Sequence, residues 1–367
     1  SAGLRRTGND LCAQCHLPAT YDGPQHHFHA AGTEAARCVS CHMPERLYMV
    51  IDGRRDHSLR VPRPDLSVTL GTPNACTQCH ANQSARWAAD AVARWYGAER
   101  RQGWHWAEAI HAGRSWQVDA ESQLVRAAGD PTVPAIARAT ALSLLPAYLS
   151  PGSVPAVETS LHDPDPLVRR AAATALWVLD PARRVALGPP LLGDPIRSVR
   201  FEALSGLLDT PRDAFPSADR AALDRATDEY RRAQVSLADR IESHVNLGTL
   251  DARLGHLDAA EAEYRTALRL QPAFLGAYIN LADLYRERGD ENRVRETLEE
   301  ALRQDPTAAA AYEALGLSLV REKRLHDALL PLEKAATLRA DEPRYAYVYA
   351  VALHEAGDTR RALQLLE

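Results

Sequence analysis

Six cysteines in a chain of 367 residues fall, without remainder, into three copies of one pattern. They are Cys12-Ala-Gln-Cys15-His16, Cys38-Val-Ser-Cys41-His42 and Cys76-Thr-Gln-Cys79-His80. No cysteine is left over for a disulfide, so the framework is not that of a small secreted disulfide scaffold. A thiol two residues from another thiol also suits a redox pair or half of a zinc site. Neither of those chemistries asks for histidine directly after the second cysteine. Histidine is 14 of 367 residues, so three such placements by chance come to about one in 18,000.

The chemistry that does require this order is covalent haem attachment. Two thiols at this spacing form thioethers to the two vinyl groups of one haem, and the next residue places its imidazole under the iron. The expectation is three c-type haems, held by Cys12 and Cys15, Cys38 and Cys41, and Cys76 and Cys79. His16, His42 and His80 are then the proximal ligands. Attachment of this kind takes place outside the cytoplasm, which implies a periplasmic or extracellular protein.

Residues 1–118 are read as a trihaem domain. Up to about residue 90 they are irregular, with no apolar face able to form a protein core; bound cofactors would replace that missing hydrophobic area. Ala85–Tyr96 reads as an amphipathic helix with Trp87, Ala91 and Trp95 at fourfold spacing, and 104–114 as another. The tryptophans at 87, 95, 104, 106 and 116 are read as packing between the haem segment and these helices. Beyond them the sequence becomes periodic. Arg138, Arg169 and Arg200 are 31 residues apart, as are Ala141, Ala172 and Ala203, and Leu145, Leu176 and Leu207. Asp163-Pro164 and Asp194-Pro195 open two of these units. This stretch, 119–212, resembles short HEAT-type helical repeats, with the spaced arginines bonding carbonyls or aspartates inside the solenoid. Residues 213–235 are polar and read as a connector. From 236 to 367 the period is 34: Leu247, Leu281 and Leu315; Ala267, Ala301 and Ala335; Gly255, Gly289 and Gly357. These resemble tetratricopeptide repeats, the fourth incomplete, and an uncapped end implies further chain or a covering partner. The fold class is therefore all-α: a haem-organised N-terminal domain followed by an α-solenoid.

The sixth ligand of each iron decides between conduction and catalysis. Spare histidines near the motifs are His26, His27, His29, His57, His105 and His111, more than three haems need, so bis-histidine ligation throughout is expected. The run His29, Cys38-Val-Ser-Cys41-His42-Met43-Pro44, Asp56-His57, Cys76-Thr-Gln-Cys79-His80 resembles the last two-haem cassette of pentahaem cytochrome c nitrite reductases, relatives of the cytochrome c554 type. The resemblance implies His29 as distal ligand to the His80 haem and His57 to the His16 haem. It implies a downstream helical histidine, His111 or His105, for the His42 haem, with His26 as the alternative. His29 lies nine positions before Cys38, which leaves His26, His27 and His29 open as the ligand. The lysine-ligated catalytic motif of that family is absent, since lysine occurs only at Lys323 and Lys334. Methionine ligation by Met43 or Met49 is disfavoured, and Arg54, Arg55, Arg60 and Arg63 are candidates to meet haem propionates. The histidines of the repeats (162, 244, 256, 326, 354) are read as surface or helix-end residues.

No run of 18 apolar residues occurs, so no membrane span is expected. The net charge of −5 points to no nucleic-acid partner. No signal peptide opens the chain, which implies a mature form or a fragment. The functional expectation is electron transfer through closely spaced haems, with the solenoid docking redox partner proteins or like subunits. Two alternatives stand beside it: a multihaem oxidoreductase acting on a small nitrogen or sulfur compound at one open haem, and a polymer-forming cytochrome subunit.

Overall fold

The computed structural model describes residues 6–101 and 103–366 and is built of helices. Glu367, where the fourth repeat ends in the sequence reading, lies outside the described residues. Among them the only strands form one hairpin, β1 (Glu45–Tyr48) and β2 (Asp52–Arg55), paired antiparallel with Glu45 opposite Arg55 and Tyr48 opposite Asp52. The chain divides into two compact units, residues 1–156 and 157–367.

In the first unit the first motif lies at the end of a 3-10 helix, Gly8–Gln14, with Cys15 as its C-cap. Short helices α1 (Pro18–Tyr21), α2 (Pro24–His27), α3 (Cys38–His42), α4 (Pro64–Leu70) and α5 (Cys76–Cys79) follow, and α3 and α5 carry the second and third motifs. The second and third Cys-x-x-Cys pairs thus each occupy about one helical turn, which sets their two thiols on one side. Longer helices follow: α6 (Ala85–Tyr96), α7 (Trp106–Arg114), α8 (Ala120–Gly129) and α9 (Ala135–Leu144). Ser84 caps α6 by accepting from Trp87 N, satisfying an otherwise unpaired first-turn donor. α7 packs on α8 and α9, so the unit boundary falls within the stretch read from sequence as HEAT-like.

Before residue 85 the described hydrophobic residues that are buried are Ala36 and Leu66, whereas Leu17, Phe28, Leu47, Met49, Val50, Ile51 and Leu59 are exposed. What holds this segment are polar cross-links. Asn9 donates to Asp22 Oδ1 (2.7 Å) and Ala36 O (3.0 Å) and accepts from Cys38 N (2.9 Å), tying the first motif to the second. Gln78, inside the third, donates to Glu45 O (2.8 Å).

α10 (Val154–Ser160) leads into the second unit, where α11 (Pro166–Ala173), α12 (Pro181–Leu187) and α13 (Arg197–Leu207) follow. The 31-residue ladders are core: Ala172, Leu176, Ala203 and Leu207 are all buried. Arg169 bonds the Asp194 carboxylate and the carbonyls of Asp163 and Pro164. Arg200 bonds Glu229 and Asp194 O. Residues 213–235, read as a connector, instead contain helix α14 (Ser217–Val235), which buries Leu223 and Ala226. Its composition is polar because only a narrow stripe is covered.

The repeats with a 34-residue period are the helix pairs α15 (Ile241–Arg253) and α16 (Leu257–Leu270), α17 (Leu275–Glu287) and α18 (Glu291–Gln304), α19 (Ala309–Arg321) and α20 (Leu325–Leu338), and α21 (Pro343–Glu355) and α22 (Thr359–Leu366). Ala267, Ala301 and Ala335 are buried where only a small side chain lets the paired helices approach. The turn inside each pair needs a left-handed residue: Gly255, Gly289 and Gly357 supply it, and Lys323 adopts φ 61° in the third. No described helix is long and apolar enough to cross a membrane.

Candidate haem-binding site

The three motif histidines belong to one chain of ring contacts. His42 and His26 have ring centroids 6.2 Å apart and planes within 7°. His80 and His29 are also 6.2 Å apart, with the planes tilted by 35°. Between the two pairs run Trp95 beside His29 (6.4 Å), Phe28 stacked on Trp95 (4.5 Å, 4°), Tyr96 against Phe28 (5.7 Å) and His26 against Tyr96 (6.2 Å). Tyr21 joins His26 (5.4 Å) to His16 (5.6 Å), and Trp87 lies beside His80 (4.8 Å).

The separation within each pair bears on what can sit there. A metal–imidazole bond is about 2 Å, and about 1.1 Å separates a ring nitrogen from its ring centre, so two trans imidazoles on one metal have centroids about 6.2 Å apart. Both pairs match that value. The angle between planes is not constrained, because each ring turns about its own bond to the metal.

Hydrogen bonds sort the remaining histidines by tautomer. His42 Nδ1 lies 2.9 Å from Arg60 O. A carbonyl only accepts, so Nδ1 carries the proton and Nε2 keeps its lone pair. His29 Nδ1 likewise bonds His27 O. His27 is the opposite case: its Nδ1 accepts from His29 N at 3.3 Å, which in the neutral ring puts the proton on Nε2. His105 Nδ1 accepts from Ala107 N (3.1 Å) as the cap of α7. Burial and the charge of Arg63 hold its pKa below the ordinary histidine value, so this ring is a neutral helix cap. His111 lies on α7, half-buried, and His57 is exposed after β2. His16 is exposed as well; its described ring neighbour is Tyr21, not a second imidazole.

The thiols crowd together across motifs. Burial, with the Cys12 thiol beside it, pushes Cys38 up to about 11. Burial pushes Cys41 up, with Cys76 and Cys79 adding to it, and burial raises Cys76 too. These are the reverse of the low-pKa thiolates that redox pairs use. Among the described residues no group of three or more His, Cys, Asp or Glu is gathered as a metal cage would gather them. Haem iron asks less of the protein, since the porphyrin fills four positions and two axial donors remain. The nearby arginines are engaged with protein groups: Arg63 with Asp65 (2.7 Å), Arg54 with Asp52 and the Tyr48 ring, Arg55 with Glu34 and the carbonyls of Val39 and Met43. In the repeats His244 bonds Glu263 (2.6 Å), His256 bonds Asp251 and His354 bonds Thr359.

Tyr21, Phe28 and Tyr96 are not singled out by sequence. Tyr96 lies 70 residues from His26 and carries no motif; only its place one residue after Trp95 on the amphipathic α6 hints at contact with the haem segment.

Comparison with known families agrees with the helical half of the chain. Residues 154–181 match the HEAT repeat, and residues 241–274 and 275–307 each match the tetratricopeptide repeat. No protein of curated function matches the chain. Among solved structures it is similar to a crystal structure of MamA, at 18% identity over 41% of this chain and 91% of that one, with a TM-score of 0.34. It is similar to YrrB, a TPR protein with an unusual peptide-binding site, at 22% identity over 38% and 72%, TM-score 0.32. MamA from Desulfovibrio magneticus RS-1 gives 21% over 40% and 85%, TM-score 0.33. The chain carries HEAT and tetratricopeptide repeats, a solenoid suited to protein–protein docking or assembly.

Proposed function

We propose that this chain is a trihaem c-type electron-transfer protein of the periplasm or cell exterior, whose solenoid docks redox partner proteins or like subunits. The observation that carries the reading is the ring-contact chain that links His16, His42 and His80, two of them with a spare histidine at the centroid spacing of two imidazoles on one metal. Cys12, Cys15, Cys38, Cys41, Cys76 and Cys79 would anchor the three haems, and His29 would complete the coordination opposite His80. A haem closed on both sides by imidazole exchanges single electrons without binding substrate. The protein's own part is to hold the donor nitrogens, keep the motifs adjacent and supply an aromatic wall of Phe28, Trp87, Trp95 and Tyr96. The near-absence of a hydrophobic core before residue 85 supports the same reading, because that volume needs a filler.

The test is the full chain produced with a c-type haem maturation system. The pyridine haemochrome assay is expected to give three covalently bound haems per chain, and electron paramagnetic resonance to show predominantly low-spin ferric iron. Absence of covalent haem overturns the proposal. A second reading has one observation in its favour: His16 is exposed and has Tyr21, not imidazole, beside it. An open haem there would make the chain an oxidoreductase for a small nitrogen or sulfur compound. One high-spin haem, with turnover of nitrite or hydroxylamine by a reduced viologen, selects that reading; three low-spin haems without turnover remove it.

A further inference from the structure

We infer that His26, not a histidine of the downstream helix α7, is the axial ligand opposite His42, and that Tyr96 is the positioning residue that fixes its tautomer; this rests on the trihaem reading. Three observations meet at this pair. The ring centroids lie 6.2 Å apart with the planes within 7°. His42 has its Nδ1 proton on Arg60 O at 2.9 Å, which leaves Nε2 as the donor nitrogen. His26 is held the same way by a different group. The Tyr96 hydroxyl gives its one proton to His26 O, so its oxygen faces His26 Nδ1, 3.3 Å away, as an acceptor. Nδ1 of His26 must then carry the proton, and Nε2 is left with its lone pair. Such an outer hydrogen bond both orients a metal-bound imidazole and raises its basicity.

The rivals are placed otherwise. His105 spends its Nδ1 lone pair on capping α7, and His27 spends its own on His29 N. His111 has no described ring contact with His42. His26 and His29 lie three apart on and just after α2, so one short turn supplies ligands to the haems of two different motifs. The bond from His29 Nδ1 to His27 O repeats for the second pair what Tyr96 does for the first.

The experiment uses the full haem-loaded chain. His26→Ala is expected to retain three haems while one becomes high-spin. His26→Met is expected to keep that haem six-coordinate and raise its potential, since methionine in place of histidine does so. Tyr96→Phe removes the acceptor and is expected to leave all haems low-spin. The less basic His26 then favours ferric iron less, by about tenfold, a rise of about 59 mV for one electron. A merely structural tyrosine would move no potential. High-spin haem from His111→Ala but not from His26→Ala overturns the assignment, as does a His26→Met chain whose potentials match wild type. An unmoved potential in Tyr96→Phe overturns the role of Tyr96. If wild type binds no haem, the trihaem reading itself falls, an outcome distinct from these.

Discussion

Replacing Asp194 with alanine tests how the repeats of the second unit are coupled. The carboxylate is 6% exposed and its partner Arg169 14%. It accepts Arg169 Nε at 2.7 Å and Nη2 at 3.1 Å, and Ile196 N at 2.8 Å. Alanine removes all three bonds and leaves a half-buried guanidinium holding only the carbonyls of Asp163 and Pro164. Breaking a buried pair on one side costs about 3–5 kcal/mol; because this pair lies under a thin cover, about 3 kcal/mol is the figure to expect. For a unit of this size that lowers the melting midpoint by about 6–12 °C. Asp194→Asn keeps the acceptor for Ile196 N and should cost about half as much. The assay is calorimetry of the full chain with far-ultraviolet circular dichroism. The pH dependence has a fixed sign. Burial pushes the Asp194 carboxyl up, but Arg169, Ile196 N–H and Arg200 together outweigh it and hold it below the usual range. A depressed folded pKa contributes stability above the unfolded value of about 3.9 and loses it as pH falls through the folded one. The gap between wild type and Asp194→Asn is therefore full at neutral pH and closes in acid below the ordinary carboxylate range. A midpoint shift under about 2 °C for Asp194→Ala, or a gap that widens in acid, would refute the reasoning.

Two further predictions concern the tetratricopeptide repeats. A Cβ on Gly316 would lie 2.6 Å from both Cγ and Cδ2 of Leu332, so Gly316→Ala should destabilise by about 1–3 kcal/mol, read by urea unfolding. Lys323 occupies the left-handed turn position that glycine takes in the other pairs; Lys323→Gly should stabilise by about 0.5–1 kcal/mol in the same assay, and a loss of stability would contradict the strain.

Periodicity makes the solenoid legible in the sequence itself. Ladders such as Leu145, Leu176 and Leu207 repeat because each unit must bury the same positions against its neighbour. The stretch 213–235 reads as a connector because α14 is helical by propensity while burying little, so its polarity resembles that of a linker. The hairpin is invisible for a different reason. Its loop places Met49 and Val50 at positive φ, where Asn-Gly is the usual signal and a β-branched residue is an outlier. The candidate site is half legible. Cysteine and histidine spacing announces the motifs outright. The choice among His26, His27 and His29 turns on which ring nitrogen each hydrogen bond occupies, and no linear pattern encodes that. Tyr96, far along the chain, meets His26 only in three dimensions.

With a haem iron held between each, the two histidine pairs would close loops that interleave. One runs from residue 26 to 42, the other from 29 to 80, so residues 29–42 belong to both. Each closure removes chain entropy that grows only slowly with loop length, and a segment shared by two closures is pinned from both sides. In the haem-loaded chain, opening one pair would slacken the other, and substitutions at His26 and His29 should be non-additive in stability. Seen as topology, the stretch containing Cys38 and Cys41 is the knot that the rest of the N-terminal segment is drawn around.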